Sequence, residues 1–221
     1  MNGSNPLPDP EQQRIAYFTM ELGISSRIPT YSGGLGILAG DTVKTFADMK
    51  LPAVTISMLN EKGYFTQELD EDGNQIAQEV NWNPNDHLVP LPNEVSVTIE
   101  GRPVKIRAWK HVIRGVQGNI IPVYYLDTNV DGNDEYARSL TSYLYGGDRK
   151  YRLCQEIVLG IGGIKMLTSL GYHNIHKYHM NEGHAALLTI ELLKNTPSYH
   201  QQGEYDEEDV KRKCVFTTHT P

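Results

Sequence analysis

The stretch IAYFTMELGISSRIPTYSGGLGILAGDTVKTFADMKLPAVTISML, residues 15–59, decides the fold. Its first six residues, Ile15 to Met20, are apolar and aromatic β-formers, and they predict a buried strand. A loop follows, and from Leu35 the apolar residues Leu35, Leu38, Val43, Phe46 and Met49 recur at roughly helical spacing until Pro52 stops them. Ala53 to Leu59 is a second buried strand. Strand, loop, helix, strand is a βαβ unit, which implies a parallel sheet with right-handed crossovers. Within it, TYSGGLGILAGD (residues 30–41) clusters Gly33, Gly34, Gly36 and Gly40. Glycine weakens ordinary elements, so such a cluster signals a tight turn, close packing or a ligand resting on main-chain amides.

Working outward, residues 60–94 are polar and rich in Asn, Asp and Pro, and read as a long loop carrying a short hairpin around Asp72-Gly73. Val95, Val97 and Ile99 alternate, Glu100-Gly101-Arg102 offers a turn, and Val104, Ile106 and Ala108 alternate again, which is a hairpin. Asn119 to Thr128 is a further strand, and this antiparallel insert is expected at one edge of the sheet. Arg149 to Leu170 has the period of one long, mostly buried helix. Its Gly160, Gly162 and Gly163 call for the close approach of a neighbouring element. His176 to Met180 is a strand, AALLTIELLKN a helix, YDEEDVKRK a polar helix and CVFTTHTP a last strand. The expected fold is α/β, a Rossmann-like parallel sheet with helices on both faces and an antiparallel hairpin insert, preceded by a flexible start over residues 1–13.

A chain of 221 residues suffices for one domain with a full core. The net charge of −7 argues against nucleic acid or an anionic membrane as the main partner, because both demand a basic surface. A small anion is still open, since a few amides at a helix end serve it locally. Cys154 and Cys214 stand in no metal-like spacing and read as buried thiols of a cytosolic protein. The first residues carry no secretory signal and no run is long and apolar enough to span a bilayer, so a soluble, cytoplasmic protein is expected.

Gly34, Gly36 and Ala39 fit a dinucleotide-type G-x-G-x-x-A pattern, with Glu61 after the next strand as its acid. In that pattern the glycines follow the strand at once, whereas here Met20 and Gly34 are far apart. MNEGHAALL (residues 180–188) ends another strand on polar residues, with Asn181 and Glu182 at the helix start and His184 in its first turn. A metal set of His179, Glu182 and His184 matches no usual spacing, and no metal is expected. THTP (residues 218–221) repeats the theme at a third strand end. Three such ends point to one rim and to a pocket for a polyhydroxylated or phosphorylated ligand. No nucleophile is visibly activated: there is no G-x-S-x-G and no cysteine beside a histidine.

The segments AYFTMELGI, IPTYSGGLGILAGD, GYFTQ, LYGGD, YRLCQE, HMNEGHAAL and FTTHTP, in this order from about Arg14 to Pro221, resemble the N-terminal domain of the α-glucan phosphorylases, the glycogen, starch and maltodextrin phosphorylase family, and especially its shorter bacterial and archaeal type. The resemblance implies a two-domain glycosyltransferase of the GT-B type. Such an enzyme splits a terminal α-1,4-linked glucose from a glucan with inorganic phosphate and releases glucose 1-phosphate with retention. Its pyridoxal phosphate cofactor acts through the phosphate group. The resemblance places amides of Gly33, Gly34 and Leu35 against phosphate and sugar and His219 against the glucose. It puts Asp148 and Arg149 in the loop that gates the site, and Asn181 and His184 in structural support at a strand end.

The same resemblance puts the cofactor lysine and the basic phosphate-holding residues in a C-terminal domain, which is expected to lie outside residues 1–221. Residues 14–221 are thus expected to be an N-terminal domain incomplete at its C-terminal end, inactive alone, and able to form a homodimer when full length. Glycogen and starch synthases share the fold and a Gly-Gly-Leu-Gly loop, but usually carry a lysine before the glycines and an aspartate after them, where this chain has Tyr31-Ser32 and Ile37. A non-catalytic glucan-binding module is the remaining alternative.

Overall fold

The computed structural model describes residues 7–64, 66–78, 80 and 82–219. Nine strands run in chain order: β1 Ile15–Phe18, β2 Ala53–Met58, β3 Thr66–Leu69, β4 Gln75–Gln78, β5 Val89–Ile99, β6 Arg102–Arg114, β7 Ile120–Asp127, β8 Lys177–Asn181 and β9 Cys214–Thr217, counted among the described residues. Seven form one sheet in the order β5-β6-β7-β2-β1-β8-β9, and β3 pairs only with β4. The pairs β7-β2, β2-β1, β1-β8 and β8-β9 are parallel, while β5-β6 and β6-β7 are antiparallel. The Rossmann-like α/β sheet and its antiparallel insert at one edge are therefore as the sequence reads.

The central strands are near-continuous apolar runs because both of their faces are covered. Along β1, Ala16 and Phe18 enter one core cluster and Tyr17 enters the other; Tyr124 and Leu126 of β7 likewise part from Val123 and Tyr125. Helix α1, Gly34–Asp48, covers the second cluster with Ala39, Val43 and Ala47. The first cluster is covered by Val158, Leu159, Ile164, Met166 and Leu167 of the long helix and by Leu188 and Leu192.

After a short helix, α2 (Glu135–Ser139), that long helix runs as α3 (Arg149–Ile157), a π-helical segment Val158–Gly162, and α4 (Gly163–Ser169). Its glycines do mark close approach. A Cβ on Gly160 would stand 2.6 Å from the Leu188 nitrogen, one on Gly162 2.5 Å from the Ile106 side chain, and one on Gly163 2.6 Å from the Phe18 ring. The remaining helices are α5 (Leu188–Lys194), α6 (Pro197–Gln202) and α7 (Glu207–Lys213).

Four details differ from the sequence reading. β1 stops at Phe18 and not at Met20, β5 begins at Val89 inside the stretch read as loop, and neither α2 nor α6 has a counterpart in that reading. Helix α6 carries ordinary signals: a proline in its first turn and Gly203 in the left-handed region, at φ 72°, behind its last residue. Residues 7–13 include a 3₁₀ turn, Pro10–Gln12, and Gln13 is buried; residues 1–6 lie outside the described part. Among the described residues no helix is long and apolar enough to cross a membrane.

Candidate active-site rim

β1, β8 and β9 are parallel and in register, Phe18 beside Met180 and Asn181 beside Thr217, so their C-terminal ends and the segments leaving them share one rim. The glycine-rich loop reaches that rim from β1. Its glycines divide into two kinds. Gly36 and Gly40 are packing glycines. A Cβ on Gly36 would stand 2.7 Å from Glu21 Oε2, and one on Gly40 would fall on the Gly23 carbonyl, 2.7 Å from its carbon. Gly33 and Gly34 have no heavy atom within 4 Å of where a Cβ would stand, and both are exposed. Gly33 is extended, at φ −162°, so neither sterics nor backbone strain demands glycine there. What the missing side chains leave open is the path to the first-turn amides of α1, Gly34 and Leu35 among them, which the helix cannot pair itself.

Glu21, just beyond β1, is 3% exposed and organises this loop. Its Oε2 accepts from the Ser32 amide at 2.8 Å and the Gly33 amide at 3.4 Å. Its Oε1 accepts the Tyr145 hydroxyl at 2.7 Å. The Gly33 amide, expected to face a ligand, is thus already turned toward a carboxylate. Tyr145 holds the left-handed conformation at φ 54°. Burial, followed by the Glu21 charge, pushes its phenol well up, so it stays a donor.

The β8 and β9 ends form a second chain of contacts. Asn181 is buried, donates through Nδ2 to Thr19 Oγ1 at 3.1 Å, and accepts from His219 Nε2 at 3.0 Å. Thr19 Oγ1 in turn donates to the Glu21 carbonyl at 2.8 Å. The His219 amide donates to Glu182 Oε1, and Glu182 sits at φ 68°. Asn181 Oδ1 thus engages the Nε2 side of the His219 ring, and His219 is exposed. His179 Nε2 meets Thr217 Oγ1 at 2.7 Å, and burial, then the neighbouring His219, lowers its pKa. Thr220 and Pro221 lie outside the described residues.

The LYGGD segment meets the same rim through Tyr145. Arg152 lies 5.3 Å from the Tyr145 ring centre and 3.5 Å from His184 Nε2, and the Tyr145 and His184 rings are 5.5 Å apart. Burial lowers the His184 pKa, and Arg152 adds to that. Asp148 is exposed and caps α3, accepting from the Tyr151 amide at 2.9 Å; Arg149 is exposed beside it. Removal of an N-cap acceptor of this kind costs about 1 kcal/mol, so Asp148→Ala is expected to lower the melting temperature by roughly 2–4 °C in a thermal melt.

The structure thus gathers Gly33, Gly34, Leu35, Asn181, His184 and His219 at one rim, with Asp148 and Arg149 at the start of α3. Sequence reasoning missed Glu21, Tyr145, Thr19 and Arg152. The available signal for Glu21 was one carboxylate directly behind a buried strand, in a loop otherwise short of charge. Among the described residues no group of three His, Cys, Asp or Glu side chains is placed to hold a metal ion.

No family model matches the chain. Individual relatives do. The chain is 39% identical to the maltodextrin phosphorylase of Thermococcus litoralis over 95% of its own length and 25% of that protein's. It is 35% identical to the glycogen phosphorylase of Mycobacterium tuberculosis over 94% of its length and 25% of the relative's. For the glycogen phosphorylase of Aquifex aeolicus the identity is 30%, over all of this chain and 32% of the relative. The chain spans about a quarter of the length of the first of these relatives. Over the stretch that it shares with them, the chain belongs to the family of glycogen and maltodextrin phosphorylases.

Proposed function

We propose that this chain supplies the glucan and phosphate side of an α-glucan phosphorylase of the GT-B type, a cytoplasmic enzyme that transfers the terminal glucose of an α-1,4-glucan to inorganic phosphate with retention. The observation that carries the reading is the convergence of three strand ends on one open rim, in a chain up to 39% identical to named phosphorylases. The amides of Gly34 and Leu35, at the positive end of α1, are suited to a phosphate or a sugar hydroxyl. His219, oriented by Asn181, offers Nδ1 to a glucose hydroxyl. Asp148 and Arg149 belong to the loop that gates this rim, and a homodimer is the expected state of the full-length enzyme.

Pyridoxal phosphate supplies proton transfer through its phosphate in such enzymes. The described residues do not fit it as a resident group: their buried polar side chains include no lysine whose protected amine could bind the aldehyde. The reading therefore assigns the cofactor to the other domain of a full-length member, and the chain alone is expected to release no glucose 1-phosphate.

Titration of the ¹⁵N-labelled chain with maltopentaose and with orthophosphate tests the proposal. Shifts confined to Gly34, Leu35 and His219 are expected, with no product by phosphate assay. No response to either ligand, together with a response of the same amides to ADP-glucose, would replace it with a nucleotide-sugar transferase.

A further inference from the structure

We infer that Glu21 is a positioning residue for the glycine-rich loop, latched from its far side by Tyr145; the inference rests on reading the rim as a ligand site. One buried carboxylate holds two segments that are distant in sequence. Oε2 takes the Ser32 and Gly33 amides, and Oε1 takes the Tyr145 hydroxyl. The space for Glu21 Oε2 exists only because Gly36 has no side chain. With both preceding amides drawn inward, the chain turns at Gly33 and opens α1 with Gly34 and Leu35 directed to the unobstructed side. Tyr145 in turn keeps a left-handed backbone that a tyrosine adopts at a cost, and its ring lies beside both Arg152 and His184. The carboxylate therefore fixes the glycine-rich loop and the LYGGD segment relative to each other before any ligand arrives. Loosening either contact releases both.

Tyr145→Phe separates this from ordinary packing, because the deleted hydroxyl touches neither Ser32 nor Gly33. In the ¹⁵N-labelled chain the amide signals of Ser32, Gly33 and Gly34 are expected to move. Their hydrogen exchange is expected to accelerate roughly tenfold or more, while Val54 and Ile56 in the sheet centre keep wild-type exchange. Glu21→Gln is expected to move the same set, and combining the two is expected to add little, as for members of one network. Unchanged Ser32 and Gly33 in Tyr145→Phe would overturn the latch; so would acceleration that extends equally to Val54 and Ile56, which marks general destabilisation. The exchange readout needs no ligand, so an absent response to maltopentaose and orthophosphate in the wild type sinks the glucan reading and leaves the latch to be judged by exchange. Where the wild type does respond, equal affinity in Tyr145→Phe would also overturn the positioning role.

Discussion

Asp127→Ala is expected to lower the stability of the chain by about 3 kcal/mol, because it leaves several buried donors without an acceptor at once. The Asp127 carboxylate is 1% exposed at the end of β7. Oδ2 accepts from Arg107 Nε at 2.8 Å and Trp109 Nε1 at 2.9 Å, and Oδ1 accepts from the Asn129 amide at 2.8 Å and Thr141 Oγ1 at 3.2 Å. Arg107 reaches solvent in part and recovers some hydration, which keeps the figure at the lower end of the range for a broken buried ion pair. For a chain of this size the loss corresponds to a fall of roughly 6–12 °C in melting temperature. Asp127→Asn keeps the shape and one acceptor and is expected to fall between wild type and Asp127→Ala. A melt within about 2 °C of wild type for Asp127→Ala, an error-sized shift, would show that the network contributes little.

Gly40→Ala is the second large effect. The added methyl would press on the Gly23 carbonyl from within α1, and the atoms it meets are backbone, which cannot rotate aside. Overpacking of this type costs about 1–3 kcal/mol and sometimes more, and the upper end is expected where α1 must shift off the strand-end loop. Gly34→Ala is the control. Its methyl meets open space at the first position of α1, where alanine strains nothing, so stability is expected to hold. The same methyl stands beside the amides of α1, so the orthophosphate and maltopentaose shifts are expected to vanish. A destabilised Gly34→Ala beside a stable Gly40→Ala would reverse the division of the glycines into packing and ligand-facing sets.

The parallel core was legible because strands covered on both faces must be largely apolar, and Ile15 to Met20 and Ala53 to Leu59 are, with only the small hydroxyl residues Thr19, Thr55 and Ser57 as exceptions. The insert was legible through strict alternation from Val95 to Ala108 and through Glu100-Gly101, whose positive φ values, 50° and 76°, suit a tight hairpin. Gly160, Gly162 and Gly163 announced close contact, although not which elements would come close. The rim was legible as a place and not as a circuit. Glu21 and Tyr145 are joined across 124 positions, and no local pattern specifies a partner so far away. Arg152 lies on a helical face where a solvated cation is the ordinary expectation, and only the fold brings a tyrosine ring and His184 beside it.

The π-helical segment Val158–Gly162 sets a phase. Each residue in a helix turns the chain by about 100°, so the extra residue of a π turn rotates everything before it relative to everything after it. Gly163, Ile164, Met166 and Leu167 can then face the sheet while Arg152, about three turns before Gly163, points across to Tyr145. A regular helix of the same sequence could satisfy the core or the rim, but its single angular repeat could not serve both. The register of four residues inside the core is thereby tied to the aim of one arginine at the rim.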